Sequence, residues 1–224
     1  RKMKKYALTT ATLLTALSGT ALAADIGGGL DLSGNIGMVS EYYWRGQDQN
    51  SGDPAVQGGF DLAHESGLYL GVWSSAASGT ASSEVDYYGG FAGEVGPVSY
   101  DVGMITYQYP GVDSTASGSP SFEEAYLSLG TTVSVVDLGV THYAAASDDN
   151  DATEFSIGGE FAGVSVSYTM GDYDKTGDYY SFTISKEVLA AYPIEIAVTK
   201  TEMDFDDVAA TDDDALIFSV SKGF

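Results

Sequence analysis

The chain has 224 residues, 32 acidic side chains against nine lysines and arginines, and no cysteine. This length suits one domain of moderate size, and the lack of cysteine excludes disulfides, thiolate metal centres and cysteine nucleophiles. Such an acidic excess repels nucleic acid, so we expect no nucleic-acid partner. Only five prolines accompany 28 glycines and 16 tyrosines, a composition that suits β-sheet better than disorder.

The first 23 residues have the three-part pattern of a secretory signal peptide. Basic residues at positions 1, 2, 4 and 5 precede an apolar segment, residues 7–17, and Ala21-Leu22-Ala23 forms a small-residue cleavage site. The apolar segment is too short to cross a bilayer as a helix. We therefore expect residues 1–23 to be a signal peptide and residues 24–224 to be the folded domain. That domain keeps five basic residues against 32 acidic ones.

From residue 30 onward, apolar and polar side chains alternate along the chain. Leu32, Ile36 and Met38 share one phase, whereas Asp31 and Asn35 share the other. A period of two predicts strands with one apolar and one polar face. The twelve predicted strands cover residues 30–44, 55–64, 68–75, 84–94, 98–109, 122–130, 133–146, 153–162, 164–172, 179–187, 193–202 and 215–224.

The predicted connections alternate in length. Those after even-numbered strands are short, such as Thr131-Thr132, whereas those after odd-numbered strands are longer and polar or acidic. Outer-membrane barrels combine short periplasmic turns with longer external loops in this way. A phase change between Val135 and Val136 predicts a β-bulge in the seventh strand.

These patterns predict an all-β protein, a transmembrane antiparallel β-barrel of about twelve strands in a Gram-negative outer membrane. A soluble periplasmic β-sandwich also has alternating strands and is the alternative fold. The C-terminal segment LIFSVSKGF has apolar residues at alternate positions and ends on Phe224. It resembles the terminal signal of outer-membrane barrels, so we expect the barrel-assembly machinery to bind it.

In a membrane barrel the apolar phase faces lipid, which turns the acidic phase toward the lumen. Twelve strands lie between small barrels, which fill their own interior, and the wide aqueous porins. A narrow polar channel that favours cations is one prediction, and a barrel plugged by its own side chains is the other. The predicted lumen and selectivity residues are Arg45, Asp31, Glu41, Asp61, Asp86, Asp101, Glu124, Asp137, Glu160 and Glu195.

Arg45 is the only lysine or arginine between Asp25 and Tyr173. It is in the inward phase at the outer end of the first predicted strand, near Glu41, Asp48 and the lumen acids. Its charge could form a constriction, or it could make a local ion pair that holds the first loop. We expect Trp44, beside it, to lie in the outer aromatic girdle.

Three acidic clusters lie in the predicted loops, at residues 147–151, 204–207 and 211–215. Carboxylates can hold calcium, but none of these clusters has the spacing of an EF-hand loop. Solvated charge is the default interpretation, and divalent-ion bridging to lipopolysaccharide is the alternative. The weak metal candidates are Asp148, Asp149, Asp151, Asp204, Asp206 and Asp207.

Barrels can also be enzymes that act on outer-leaflet lipids. Counting through the predicted turn at Thr131-Thr132 puts His142 near Ser121 or Glu123, so a Ser/His/acid hydrolase is conceivable. The segment around Ser121, PSFEE, has no nucleophile motif. We therefore predict no enzyme activity and no cofactor.

Several segments resemble the TorF family of outer-membrane porins. They include Arg45-Gly46, Asp53-Pro54-Ala55 and the segments ESGLYLGVWSS and EVDYYGGFAGE. The resemblance extends from about Asn35 to the C-terminus and is strongest over residues 40–111. It implies an outer-membrane barrel with a pore, and it implies no catalytic residues and no known substrate.

The predicted function is an outer-membrane channel for passive diffusion of small hydrophilic solutes, with a preference for cations. The runner-up is a non-conducting barrel with a structural or surface-interaction role, and a lipid hydrolase is third. The expected partners are outer-membrane lipid, lipopolysaccharide, the assembly machinery and the solutes.

Overall fold

The structure, a computed structural model, describes residues 23–78, 83–112, 121–146, 150–189, 191–207 and 211–224. Apart from Ala23, the predicted signal peptide lies outside the described residues. In the described part, no helix is long and apolar enough to cross a membrane. The strands are β1 Ala24–Gly27, β2 Leu30–Val39, β3 Tyr43–Trp44, β4 Gln47–Asp48, β5 Ala55–His64, β6 Leu68–Ala76, β7 Ser83–Val95, β8 Val98–Gln108, β9 Phe122–Val133, β10 Val136–Ala145, β11 Ala152–Phe161, β12 Val164–Tyr173, β13 Gly177–Val188, β14 Ile194–Phe205 and β15 Asp213–Gly223.

Twelve of these strands close into a barrel. From β5 to β15 each strand pairs antiparallel with the next, and β2 pairs with both β5 and β15. Closure pairs the backbone N–H and C=O groups that β2 and β15 would otherwise expose to lipid. Lipid tails cannot form hydrogen bonds with these groups. The structure thus confirms the predicted all-β antiparallel barrel of about twelve strands.

The apolar face of the barrel points outward. Val56, Phe60, Leu68 and Leu70, on adjacent strands, are each more than half exposed. In contrast, Asp86 and other acids on the opposite face are buried inside. A soluble sandwich would bury the apolar set, so that alternative is wrong. The barrel is a transmembrane barrel of the bacterial outer membrane, with lipid against its apolar face.

The connections differ between the two ends of the barrel, as predicted. At one end the strands are joined by the short turns 65–67, 96–97, 134–135, 162–163 and 189–193. At the other end they are joined by the connections 40–54, 77–82, 109–121, 146–151, 174–176 and 206–212. Only 174–176, at three residues, is shorter than expected at its end. The short-turn end is the periplasmic end of a barrel of this type.

The predicted bulge in the seventh strand is wrong. β9 continues to Val133, and the chain turns at Ser134 and Val135, where Ser134 has a left-handed φ of 62°. The phase change between Val135 and Val136 is therefore the end of a turn. The predicted turn residues Thr131 and Thr132 belong to β9, where they pair with Leu138 and Asp137.

The first barrel strand is shorter than predicted. β2 ends at Val39, and residues 43–48 form a separate two-stranded hairpin, β3–β4. After Ser40, whose N–H donates to the Phe218 carbonyl, the chain leaves the wall and enters the barrel interior. The alternation of apolar and polar side chains continues through Trp44 because the hairpin is also made of extended strands.

The closing seam between β2 and β15 depends on a glycine. The N–H of Gly34 donates to the carbonyl of Phe224, and the N–H of Phe224 donates back. On the lipid face, a Cβ on Gly34 would lie 2.8 Å from Cε2 of Phe224 and 3.0 Å from Cδ1 of Phe60. The two rings pack edge to face, 6.1 Å apart, over the glycine. Beyond Phe224, β1 pairs with residues 30–32 and covers the remaining edge of β2.

Replacing Gly34→Val should weaken this seam, because the added carbons occupy the space of the Phe224 ring. Overpacking of this kind costs about 1–3 kcal/mol. We expect the barrel, refolded in detergent, to lose its compact form at a lower temperature. Heat-dependent migration in SDS gels measures this loss.

Phe224→Ala is the matched control, because it removes the ring that the valine displaces. If the clash is with that ring, Gly34→Val should cost at most half as much in the Phe224→Ala background. Fully additive effects of the two substitutions would contradict this account of the seam.

Candidate functional site in the barrel lumen

The hairpin β3–β4 carries Arg45 into the lumen. Arg45 and Gly46 form its turn with φ values of 47° and 76°, a left-handed pair that glycine adopts readily. A Cβ on Gly46 would lie 2.7 Å from the carbonyl oxygen of Glu202 on β14. The turn thus lies directly against the barrel wall, and Arg45 is only 4% exposed.

Arg45 is held by a bidentate ion pair with Glu124 of β9. Nη1 donates to Oε1 over 2.7 Å, and Nη2 donates to Oε2 over 3.0 Å. The Tyr107 hydroxyl also donates to Oε2 of Glu124, over 3.1 Å. Burial lowers the pKa of Arg45, but the Glu124 charge, the hydrogen bonds to Glu124 and the neighbouring tyrosines together raise it by more, so the pKa lies well above its usual value. The guanidinium is therefore charged.

Three aromatic rings surround the same guanidinium. Its central carbon lies 4.3 Å from the ring centroid of Trp44, 4.4 Å from that of Tyr143 and 5.0 Å from that of Tyr173. A cation near the faces of aromatic rings gains electrostatic energy, most of all when both are shielded from water. Charge, hydrogen bonds and aromatic rings together form a closed cage around Arg45.

The expected place of Trp44 in the outer aromatic girdle is wrong. Its ring packs inside the barrel against Tyr107, Phe122 and Tyr173, at centroid distances of 5.7, 5.8 and 5.7 Å. The alternation that put Trp44 in the outward phase stops at Val39, where the wall strand ends. Aromatic burial in the lumen adds to the docking of the hairpin.

Further contacts tie the hairpin to the wall. The Tyr43 hydroxyl donates to Asp213 over 2.9 Å, and the Asp48 N–H donates to the same carboxylate over 3.1 Å. Burial, and then the hydrogen bond to Asp213, raises the pKa of Tyr43 well above its usual value. Just before the hairpin, Tyr42 donates to Glu84 over 2.9 Å.

Four buried acids line the wall around the hairpin: Glu84, Asp86, Glu124 and Glu154. Arg45 pairs with Glu124, and Tyr179 donates to Glu154 over 2.6 Å. Asp86 is 0% exposed, and its carboxyl group interacts with that of Glu84, two residues earlier on β7. We name these four residues the acidic girdle.

A second polar network lies on neighbouring inner positions. Tyr69 donates to Asp101 over 2.7 Å and also bonds the Tyr126 hydroxyl. Tyr88 donates to Asp61. Tyrosine hydroxyls thus satisfy carboxylates that the barrel encloses.

All ten predicted lumen residues are in the described part of the chain, and their burial differs. Of these ten residues, the structure brings two together as an ion pair, Arg45 and Glu124. Sequence reasoning missed Glu84 and Glu154, although each shares its strand's inward phase with a predicted acid. Arg45, Asp86, Asp101 and Glu124 are buried, Asp31, Glu41, Asp61 and Glu195 are half-buried, and Asp137 and Glu160 are exposed.

The predicted hydrolase geometry is wrong. His142 pairs across the sheet with Leu127, and the carbonyl of Glu123 bonds instead to the N–H of Ala146. The register differs because the turn lies at Ser134 and Val135, beyond the predicted position. The His142 ring contacts Thr153, with Nδ1 3.0 Å from Oγ1.

The metal candidates divide between described and undescribed residues. Asp148 and Asp149 lie outside the described residues. Asp151 accepts a hydrogen bond from the Ala145 N–H, and Asp204, Asp206 and Asp207 are exposed. No group of three or more His, Cys, Asp or Glu suited to a metal ion occurs in the described part.

Glu124→Gln should release the hairpin, because it leaves a buried guanidinium without its counterion. Breaking one side of a buried pair costs about 3–5 kcal/mol. We expect the emission of Trp44 to shift to longer wavelength as the ring meets water, measured in a Trp73→Phe background. Trp44 and Trp73 are the two tryptophans of the chain.

Glu94→Gln is the charge-matched control, since Glu94 is exposed at the periplasmic end of β7. It should leave the emission unchanged. An unshifted spectrum for Glu124→Gln would show that the ion pair does not hold the hairpin.

The fold is similar to that of solved porins. A structure titled "KdgM porin" aligns with a TM-score of 0.60 and 8% identity, over 86% of this chain and 98% of that one. A "KdgM porin in complex with disordered oligogalacturonate" aligns at 0.59 and 8% identity, over 86% and 97%. A NanC porin aligns at 0.51 and 10% identity, over 86% and 97%. At these identities the likeness shows a shared fold.

Sequence comparison with curated proteins finds no match. The structural neighbours support a porin-like fold, but the comparisons do not support the TorF name that the sequence resemblance suggested. A family model described as "Bacterial protein of unknown function (Gcw_chp)" matches residues 23–224. The chain therefore belongs to the Gcw_chp family of bacterial proteins.

Proposed function

We propose that this protein is an outer-membrane channel for passive diffusion of small hydrophilic solutes, and that it favours cations. The observation that carries the proposal is the acidic girdle around one clamped arginine. Among the described residues, Arg45 is the only lysine or arginine in the lumen, and Glu124 neutralises it. The remaining acids leave the interior negative, which raises the local concentration of cations.

The similarity to solved porins supports the proposal of a channel, but it does not identify the solute. One of the two KdgM porin structures is a complex with disordered oligogalacturonate. A lumen lined by Glu84, Asp86 and Glu154 would repel a polyanion of that kind. We therefore propose cationic and neutral solutes as the permeant class for this chain.

In this proposal the hairpin β3–β4 is the constriction. It occupies the lumen at the height of the acidic girdle, and its docking depends on Arg45, Trp44 and Tyr43. A docked hairpin narrows the path, and an undocked one widens it. Ion flow then depends on how often the Arg45–Glu124 pair separates.

The buried hairpin also favours a second candidate, a barrel that does not conduct and has a structural or surface role. Both candidates have the same fold and location, and conductance distinguishes them. Recognition of Phe224 by the assembly machinery and contacts of the acidic loops with lipopolysaccharide stay predictions.

The refolded protein should conduct in planar bilayers with a reversal potential that indicates cation selectivity under a KCl gradient. Arg45→Ala should increase both the conductance and the selectivity, because it undocks the hairpin and removes the lumen cation. Lys175→Ala, in the exposed 174–176 turn, is the matched loss of charge and should change neither. Absence of current, or anion selectivity, would refute the proposal.

Glu154→Gln should reduce the cation preference, since it removes a carboxylate from the acidic girdle. Asp137→Asn removes the same charge from an exposed position at the periplasmic end of β10 and should have a smaller effect. Equal effects of the two substitutions on reversal potential would mean that the acidic girdle does not set selectivity.

A further inference from the structure

The cage around Arg45 has the parts of a receptor for a planar cation. Glu124 supplies two acceptor oxygens at 2.7 and 3.0 Å, with spacing that matches the two parallel N–H donors of a guanidinium. Tyr143 and Tyr173, on β10 and β12, supply aromatic faces at 4.4 and 5.0 Å. These three residues all belong to the barrel wall, whereas Arg45 and Trp44 arrive on the hairpin.

The wall part of the cage is fixed independently of the hairpin. Glu124 lies on β9 and accepts from Tyr107 on the neighbouring β8, which orients its carboxylate. Each of these strands is paired on both sides along the barrel. A cage that is held in place before its ligand arrives binds with less loss of conformational freedom.

A second acid lies beside the cage. Asp86 is opposite Tyr107 in the β7–β8 register, so its carboxylate and that of Glu124 flank the same tyrosine. Asp86 is fully buried, and its carboxyl group interacts with that of Glu84 on the same strand. A cation beside two neighbouring buried carboxyl groups favours their ionised forms, so the pair attracts it. An entering cation would therefore find a charge partner next to the site that Arg45 occupies.

We propose that Glu124, Tyr143 and Tyr173 form a binding site for guanidinium-bearing solutes, which Arg45 occupies as an internal ligand and an entering solute contests. The proposal names the solute class and regulation of the proposed channel, and it rests on that function. When a solute takes the carboxylate, the hairpin loses its main anchor. Cationic solutes would then promote their own passage.

The experiment uses the Arg45→Ala barrel in detergent, with methylguanidinium as the probe and isothermal titration calorimetry as the readout. Removing the internal ligand should create saturable binding at low millimolar concentration. The wild-type cage should bind the probe more weakly, because tethered Arg45 competes at an effective concentration of millimolar or more. Adding Glu124→Gln should weaken binding at least tenfold.

Tetramethylammonium and NaCl are the probe controls. Tetramethylammonium has the charge but no N–H donor, so it should bind at least tenfold more weakly, and NaCl reports ionic strength alone. Arg45→Gln serves as a second variant if Arg45→Ala does not show the gel shift of a folded barrel. Equal responses to all three salts, or binding that survives Glu124→Gln, would overturn the proposed site.

The binding result is separate from the channel result. If wild-type protein carries no current while Arg45→Ala binds methylguanidinium through Glu124, the channel proposal fails and the cage stands as a cation site. If wild-type protein conducts cations and neither Arg45 variant binds the probe, the channel stands and the further inference is refuted.

Discussion

The ion pair between Arg45 and Glu124 is the interaction on which the lumen depends. A barrel in a membrane must first close, and the β2–β15 seam does so by pairing backbone groups that lipid cannot satisfy. That closure creates an enclosed interior rich in carboxylates. One guanidinium, 79 residues from its partner in sequence, then fixes the hairpin inside it.

The pair is strong because of its surroundings. Both side chains are almost fully enclosed, at 2% and 1% exposure, so water screens their attraction little. The same burial makes either charge costly alone, which couples the position of the hairpin to the pairing of two residues. Aromatic rings from the hairpin and the wall exclude water and complete the cage. Removing either charge of this pair is thus able to change the position of the whole hairpin β3–β4.

Most of the barrel could be predicted from period-two alternation, because lipid outside and acids inside impose opposite chemistry on successive residues. The strand from Ala55 to His64 was predicted to the residue. The inserted hairpin could not be predicted in this way, since Tyr42 and Trp44 continue the alternation after the wall strand has ended. The glycine at position 46 is the one local trace of the left-handed turn that the structure shows there. The partner of Arg45 lies on β9, after four intervening barrel strands of the chain, and leaves no mark in local sequence.

The central claim is that the docked hairpin restricts the lumen, and a reversible tether tests it most directly. The chain has no cysteine, and the Asp48 N–H lies 3.1 Å from the Asp213 carboxylate, so Asp48→Cys with Asp213→Cys is the pair to test for a disulfide between hairpin and wall. In the Arg45→Ala background, the account predicts high conductance when the pair is reduced and a return to wild-type conductance when it is oxidised. Equal conductance in the two states, with the disulfide shown to have formed, would contradict it.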